Sequence, residues 1–308
     1  MTREIPDTGS QMRHDLMQRM VALAEVTAVF AATHVLYRAI KRFTLLGEWE
    51  SAAGTNFIPG VVMMAVTGLV LLAGRRRWEP YGLSLRWWPH DLNLGLASGI
   101  AVIAVAAVAL GVTGYRYDPD RPPDPSGPPQ FMRAIGAPVV GLLALLALPV
   151  FVRAVRGKRR VPPAVSLAVL SALLALPPLL AAYLHRPAVW LAVLWNVIGA
   201  GIGEEVFFRG YIQSRVDAGF GKSWCVSGRA IGPGVIVSSG LFGLIHALNT
   251  VDYFGGRWDF GWWYGLGTTI VGLLYGCLRA RTGRVWAGAV THGLADTFAI
   301  VPGLLRGS

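Results

Sequence analysis

The sequence has few charged residues and almost no cysteine. Only 15% of its 308 residues are Asp, Glu, Lys or Arg, whereas 54% are hydrophobic. A soluble domain of this size needs more charge to cover its surface, so the composition argues against a soluble globular protein. The two cysteines, Cys225 and Cys277, form no motif. They therefore cannot provide the disulfide framework of a small secreted domain.

Acidic residues are scarcer than basic ones, and the net charge is +11. In a soluble protein this excess would suggest a nucleic-acid partner. Here the basic residues stand at the ends of apolar runs, which fits contact with anionic lipid headgroups. We therefore expect membrane lipids as partners and no nucleic acid. Lys and Arg are more frequent in the loops on the side of the N-terminus, which predicts a cytoplasmic N-terminus. We expect a multi-pass protein of the plasma (inner) membrane.

Apolar runs of about 20 residues, long enough to cross a bilayer, recur along the chain. They predict an all-α, polytopic transmembrane helix bundle of about eight or nine helices. The predicted spans lie near 17–38, 56–74, 91–114, 134–153, 163–184, 188–216, 231–249, 262–281 and 285–304. We interpret residues 1–184 as the N-terminal helices of the bundle and 185–308 as its motif-bearing core, the two forming one integral membrane unit.

Two adjacent glutamates interrupt the sixth apolar run. Arg209 lies four residues after Glu205, so these two side chains share a helix face and can pair. Glu204 points to a different face and is available as a general base. A carboxylate inside a membrane is costly unless it is paired or hydrated, which favours a functional role. The plainer interpretation is a helix end that extends its charges to the headgroups.

Histidines mark the two other polar motifs. His246 follows a long apolar stretch, and Asn249 lies three residues later. His292 and Asp296 are four residues apart on one face of the last predicted helix, where the acid can orient the imidazole and fix its tautomer. Either histidine could instead be a hydrogen-bonded residue that only holds the bundle together.

Together these motifs can surround one water molecule. Buried polar groups need partners, and the three helices can supply them to one another. A glutamate could accept a proton from the water, a histidine could orient the water or bind a metal, and the last helix could hold an oxyanion. The pattern predicts peptide-bond hydrolysis without a Ser or Cys nucleophile. Two alternatives remain: a proton-coupled transporter, and a non-catalytic scaffold or immunity protein that keeps the polar core for packing.

The order and spacing of the motifs resemble those of a known family. Glu204-Glu205-x-x-x-Arg209, Phe242-x-x-x-His246 and His292-x-x-x-Asp296 resemble the CPBP family, which comprises CAAX proteases and bacteriocin-processing or Abi proteins. Its eukaryotic member is the Ras-converting CAAX endopeptidase. The resemblance covers about residues 185–304. It implies an intramembrane endopeptidase that acts on a peptide or lipidated protein at the membrane, with prenylated proteins as one substrate class.

The resemblance also implies a role for each catalytic candidate. Glu204 would activate the water, and His246 would position it. Glu205 would be the electrostatic companion of Glu204, stabilised by Arg209. His292 would stand in or near the oxyanion hole.

One residue departs from the family pattern. The family usually has Asn four residues after the last histidine, whereas this sequence has Asp296. An ionised Asp cannot donate a hydrogen bond to an oxyanion. Asp296 is therefore protonated, or it orients His292, or it helps to bind a metal.

The residue types leave metal binding open. Glu204, His246 and His292 are candidate ligands of a divalent ion such as zinc, as in a metalloprotease. The sequence has no HExxH motif. We favour the metal-independent mechanism, because one water, a glutamate and a histidine suffice for hydrolysis.

The depth of the motifs in the membrane predicts an irregular helix. His246 falls late in an outward-running span, whereas Glu204 lies nearer the cytoplasmic side. For the two to meet, we predict a break near Gly232-Pro233-Gly234. Small residues further predict close helix approach at three places, namely Gly199, Ala200, Gly201 and Gly203, then Gly240 and Gly243, and last Gly288 and Gly293.

Overall fold

The computed structural model describes residues 8–53, 55–86, 88–113, 162–183, 189–226 and 229–299. Almost all regular structure in these ranges is helical, which confirms the predicted all-α class. The helices are α1 (Thr8–Phe43), α2 (Leu45–Ala52), α3 (Phe57–Ala73), α4 (Trp88–Thr113), α5 (Pro163–Tyr183), α6 (Val189–Phe220), α7 (Gly234–Ala247), α8 (Trp262–Thr282) and α9 (Trp286–Ala299). Two short 3-10 turns, Glu79–Tyr81 and Leu248–Thr250, and a hairpin of β1 (Trp224–Val226) and β2 (Arg229–Ile231) complete the described part.

Some of the helices have the length and apolar character of membrane spans. Among the described residues, three segments are long and apolar enough to cross a bilayer, namely Asp15–Phe43, Trp88–Ala106 and Val189–Phe220. Shorter apolar helices accompany them, and large apolar side chains face outward on many helices. The chain is therefore a polytopic membrane protein. Eight of the nine predicted spans correspond to helices, and the remaining one, 134–153, lies outside the described residues.

The seventh predicted span differs from the prediction. We expected a helix over 231–249 that breaks near Gly232-Pro233-Gly234, but β2 ends at Ile231 and α7 begins at Gly234. The backbone N–H of Gly234 donates to Oδ1 of Asp217 at 2.8 Å, which satisfies one of the free donors of the first turn. The broken helix was a wrong interpretation. The helix instead starts late, and about 18 Å of it separates Gly234 from His246.

Ion pairs tie the N-terminal helices to the C-terminal ones. Glu25 of α1 accepts hydrogen bonds from Arg76 after α3 (2.5 and 3.0 Å) and from Tyr211 and Arg215 of α6 (2.8 Å each). The hydrogen bond with Glu25 raises the pKa of Arg76 above its usual range, so this arginine stays charged. The cluster fixes α1 beside α6, and this placement brings α1 to the site described below.

Glycine permits the closest approach between α3 and α6. A Cβ on Gly60 would lie 2.5 Å from the backbone of Gly199, and one on Gly203 would lie 2.7 Å from the Gly60 carbonyl oxygen. The predicted contacts at Gly199 and Gly203 are therefore confirmed. The prediction for Gly240 was wrong, since a Cβ there would meet no atom within 4 Å. Close approach is confirmed where a Cβ would come within 3.3 Å of another helix, at Gly201, Gly243, Gly288 and Gly293.

We expect Gly60→Ala to lower the free energy of unfolding by about 1–3 kcal/mol, because the methyl group would meet rigid backbone. Gly240→Ala is the matched control. It adds the same methyl group in open space and should leave the stability unchanged or raise it slightly. Unfolding of purified protein in mixed micelles measures both variants. Equal stability of the two would contradict close packing of α3 on α6.

Candidate active site

The motif residues meet at a cavity of about 350 Å³ among α1, α3, α6, α7, α8 and α9. Of the six residues predicted from the motifs, Glu204, His246 and Asp296 line this cavity. Glu205, Arg209 and His292 are not among its lining residues. The remaining lining residues are Tyr37, Arg38, Lys41, Asn56, Pro59, Met63, Trp195, Ala200, Ile245, Asn249 and Tyr264. The structure thus divides the predicted site into an open part and a buried part behind it.

The two adjacent glutamates have different surroundings. They lie where two π-helical segments of α6 meet, Asn196–Glu204 and Val206–Gln213. π-Helical segments are rare and are often found at functional sites. Glu204 retains some exposure towards the cavity, whereas Glu205 is completely buried. Oε2 of Glu204 has no hydrogen-bond partner among the described residues, so it is available as an acceptor.

Glu205 and Arg209 form the predicted i, i+4 pair in the interior. Nη1 of Arg209 donates to Oε1 of Glu205 at 3.0 Å, and Nη2 donates to the carbonyl oxygen of Gly272 at 3.0 Å. The guanidinium carbon lies 4.3 Å from the ring centre of Phe242 and 5.2 Å from that of Tyr275. These contacts offset part of the cost of burying the charge. Arg209 therefore joins α6 to α7 and α8 behind the cavity.

His246 is held with one ring nitrogen free. Its Nδ1 lies 2.7 Å from the carbonyl oxygen of Phe242, one turn earlier in α7. A carbonyl oxygen only accepts, so Nδ1 carries the proton and Nε2 is an unprotonated acceptor. The imidazole packs between Phe242 (4.5 Å between ring centres) and Tyr264 (5.3 Å). His246 can therefore accept a hydrogen bond from a molecule in the cavity.

His292 connects the buried carboxylate to the cavity. Its Nδ1 lies 3.2 Å from Oε1 of Glu205, and its ring stacks on Tyr275 at 4.7 Å. Nε2 faces Oδ2 of Asp296 at 3.4 Å and Oε2 of Glu204 at 4.0 Å. Both ring nitrogens are thus directed at carboxylates. Asp296 lies close enough to orient His292, which is one of the three roles that its residue type left open.

The donor atoms do not converge as a metal site requires. Within the described ranges, no group of three His, Cys, Asp or Glu residues is arranged to hold a metal ion. Nδ1 of His246 and Nδ1 of His292 are both engaged with protein oxygens, so Nε2 is the nitrogen of each ring that could bind a ligand.

Sequence analysis missed the contribution of α1 to the cavity. Tyr37, Arg38 and Lys41 line it, and His34 lies one turn before Tyr37. These four polar residues recur at spacings of three and four within an apolar span. The same spacing marks one face of a helix, so this signal could have identified the face.

Comparison with known proteins identifies the C-terminal part of the chain. Residues 186–298 match the family described as type II CAAX prenyl endopeptidase Rce1-like. The matched segment contains all three motifs and lies within the predicted core. No curated protein and no solved structure matches the chain.

Proposed function

We propose that this chain is an intramembrane endopeptidase that uses Glu204 and His246 to activate water. Its residues 186–298 match the family of type II CAAX prenyl endopeptidases described as Rce1-like. The family supports a membrane protease acting on a membrane-associated protein or peptide. One observation carries the mechanism: Glu204 from α6, His246 from α7 and Asp296 from α9 line a single cavity. A prenylated protein is the substrate class we propose first.

The two acceptors can orient a water molecule for attack. Oε2 of Glu204 makes no hydrogen bond with the described residues, and Nε2 of His246 is unprotonated. A water that donates one hydrogen to each acceptor presents its lone pairs towards a third group. A scissile carbonyl carbon in the cavity would occupy that position. The arrangement needs no side-chain nucleophile.

The reaction then follows from general acid–base catalysis. The water oxygen bonds to the carbonyl carbon while Glu204 takes the water proton, and the carbonyl oxygen becomes an oxyanion. The C–N bond breaks as Glu204 returns this proton to the leaving nitrogen. The products are a carboxylic acid and an amine. Glu205, Arg209 and His292 support this step from behind the cavity by fixing Glu204 and Asp296.

The topology belongs to the same proposal. We propose a location in the plasma membrane, with a cytoplasmic N-terminus that the placement of Lys and Arg in the sequence supports. Accessibility of single cysteines introduced in the loops to a membrane-impermeant reagent would test the orientation.

The test of the proposed function is cleavage of a library of lipidated peptides by purified protein in liposomes, with products identified by mass spectrometry. His246→Ala is expected to lower kcat by about 10²-fold, because the water loses one acceptor. His90→Ala is the matched control, since His90 is not among the cavity-lining residues. A chelator should leave cleavage unchanged. Full activity of His246→Ala, or no cleavage product from any peptide, would argue against this function.

A further inference from the structure

The cavity contains a tyrosine that lies outside both the motifs and the family match. Tyr37 of α1 lines the same cavity as Glu204 and His246, and only 3% of its surface is exposed. Its hydroxyl oxygen lies 2.6 Å from Nδ1 of His34. His34 is equally buried, at 5% exposure. A buried Tyr–His pair in a membrane helix is costly, which points to a function.

The second nitrogen of His34 indicates where the protons of this pair lie. Nε2 of His34 is buried and has no hydrogen-bond partner within the described residues. In the protein interior, a nitrogen acceptor without a donor costs less free energy than an N–H donor without an acceptor. The proton therefore belongs on Nδ1, which donates to the oxygen of Tyr37. The O–H of Tyr37 then remains free to donate to another group.

Hydrolysis in this cavity requires such a donor. The oxyanion of the tetrahedral intermediate is stabilised by hydrogen-bond donors that are already in position. An ionised Asp296 cannot donate, and Nε2 of His292 is directed at the carboxylates of Glu204 and Asp296. Among the other lining donors, Tyr264 is 45% exposed. Arg38 donates to the carbonyl oxygens of Asn249 and Val251, and Lys41 donates to the side chain of Asn56. Of the two tyrosines that line the cavity, Tyr37 is the buried one, and His34 contacts its hydroxyl.

We propose that Tyr37 is a further catalytic residue whose hydroxyl donates to the oxyanion, and that His34 is a positioning residue that orients this hydroxyl. The inference rests on the proposed endopeptidase function. It assigns donation to the oxyanion to α1, in the N-terminal part of the chain. The C-terminal motifs leave this role unfilled, because Asp296 replaces the usual Asn.

Tyr37→Phe tests the catalytic part, because it removes the hydroxyl and keeps the ring. We expect kcat to fall by about 10²–10³-fold with KM nearly unchanged, as for loss of one oxyanion donor. Tyr253→Phe is the matched control. Its ring packs edge-on against His34 at 5.7 Å, but it is not among the cavity-lining residues, so its kcat should not change.

His34 variants test the positioning part. His34→Phe removes the donor and should lower kcat by less than Tyr37→Phe does. His34→Asn can donate its amide N–H to Tyr37 and should recover most of the lost kcat, which a purely structural role would not explain.

Glu204→Gln in the same assay separates this inference from the proposed function. If Glu204→Gln is inactive while Tyr37→Phe keeps the wild-type kcat, only the role of Tyr37 is overturned. If Glu204→Gln cleaves at the wild-type rate, the proposed function itself fails. A loss of activity in Tyr37→Phe that merely follows a lowered melting temperature would also overturn the inference.

Discussion

Glu204→Gln is expected to lower kcat by about 10²–10⁴-fold, the range for loss of a general base. The amide has nearly the same shape as the carboxylate, but it cannot take a proton from water. The side chain faces a cavity and Oε2 makes no hydrogen bond to the described protein, so the fold should not depend on its charge. Steady-state kinetics on a cleaved lipidated peptide, together with a melting curve, measures both effects.

Two further variants test whether the carboxylate of Glu204 is the base. Glu204→Asp keeps the carboxylate but withdraws it by one methylene group, so it should retain more activity than Glu204→Gln. Glu79→Gln is the matched control, since the Glu79 side chain is 61% exposed beside Arg77 and does not line the cavity. Wild-type turnover by Glu204→Gln would exclude Glu204 as the base. A lowered melting temperature with unchanged turnover would favour the scaffold alternative.

Arg209→Met is expected to lower the free energy of unfolding by about 3–5 kcal/mol, the usual cost of leaving a buried charge without its partner. The substitution removes the donors to Glu205 and Gly272 and the charge over the Phe242 ring. Unfolding in mixed micelles, followed by far-UV circular dichroism, measures the loss. Turnover should fall as well, because His292 and Glu204 depend on the position of Glu205.

A double variant at Glu205 and Arg209 shows whether the two residues stabilise the fold as a pair or independently. Replacing Glu205 with Leu in the Arg209→Met background removes the carboxylate that has lost Arg209 and keeps only His292 as a partner, so part of the lost stability should return. Arg77→Met is the matched control, because this side chain is 83% exposed and should contribute little. Strictly additive losses in the double variant would show that the two residues do not act as a pair.

The sequence alone determined the class of the protein and most of its helices. Apolar runs identify membrane helices directly, because only a helix satisfies its own backbone hydrogen bonds in lipid. The pairing of Glu205 with Arg209 was also predictable, since four residues within one helix fix their separation. The same holds for His292 and Asp296, which the structure places 3.4 Å apart.

The tertiary structure decided what depends on contacts between distant helices. It separated Glu204, in the cavity, from Glu205, in the interior, and it directed His292 towards carboxylates. It began α7 at Gly234, where Asp217 of another helix accepts a backbone hydrogen bond. It also brought Tyr37 to the motifs through the ion pairs of Glu25. Spacing along the chain fixes neighbours only within a helix, whereas packing between helices determines which polar faces share one cavity.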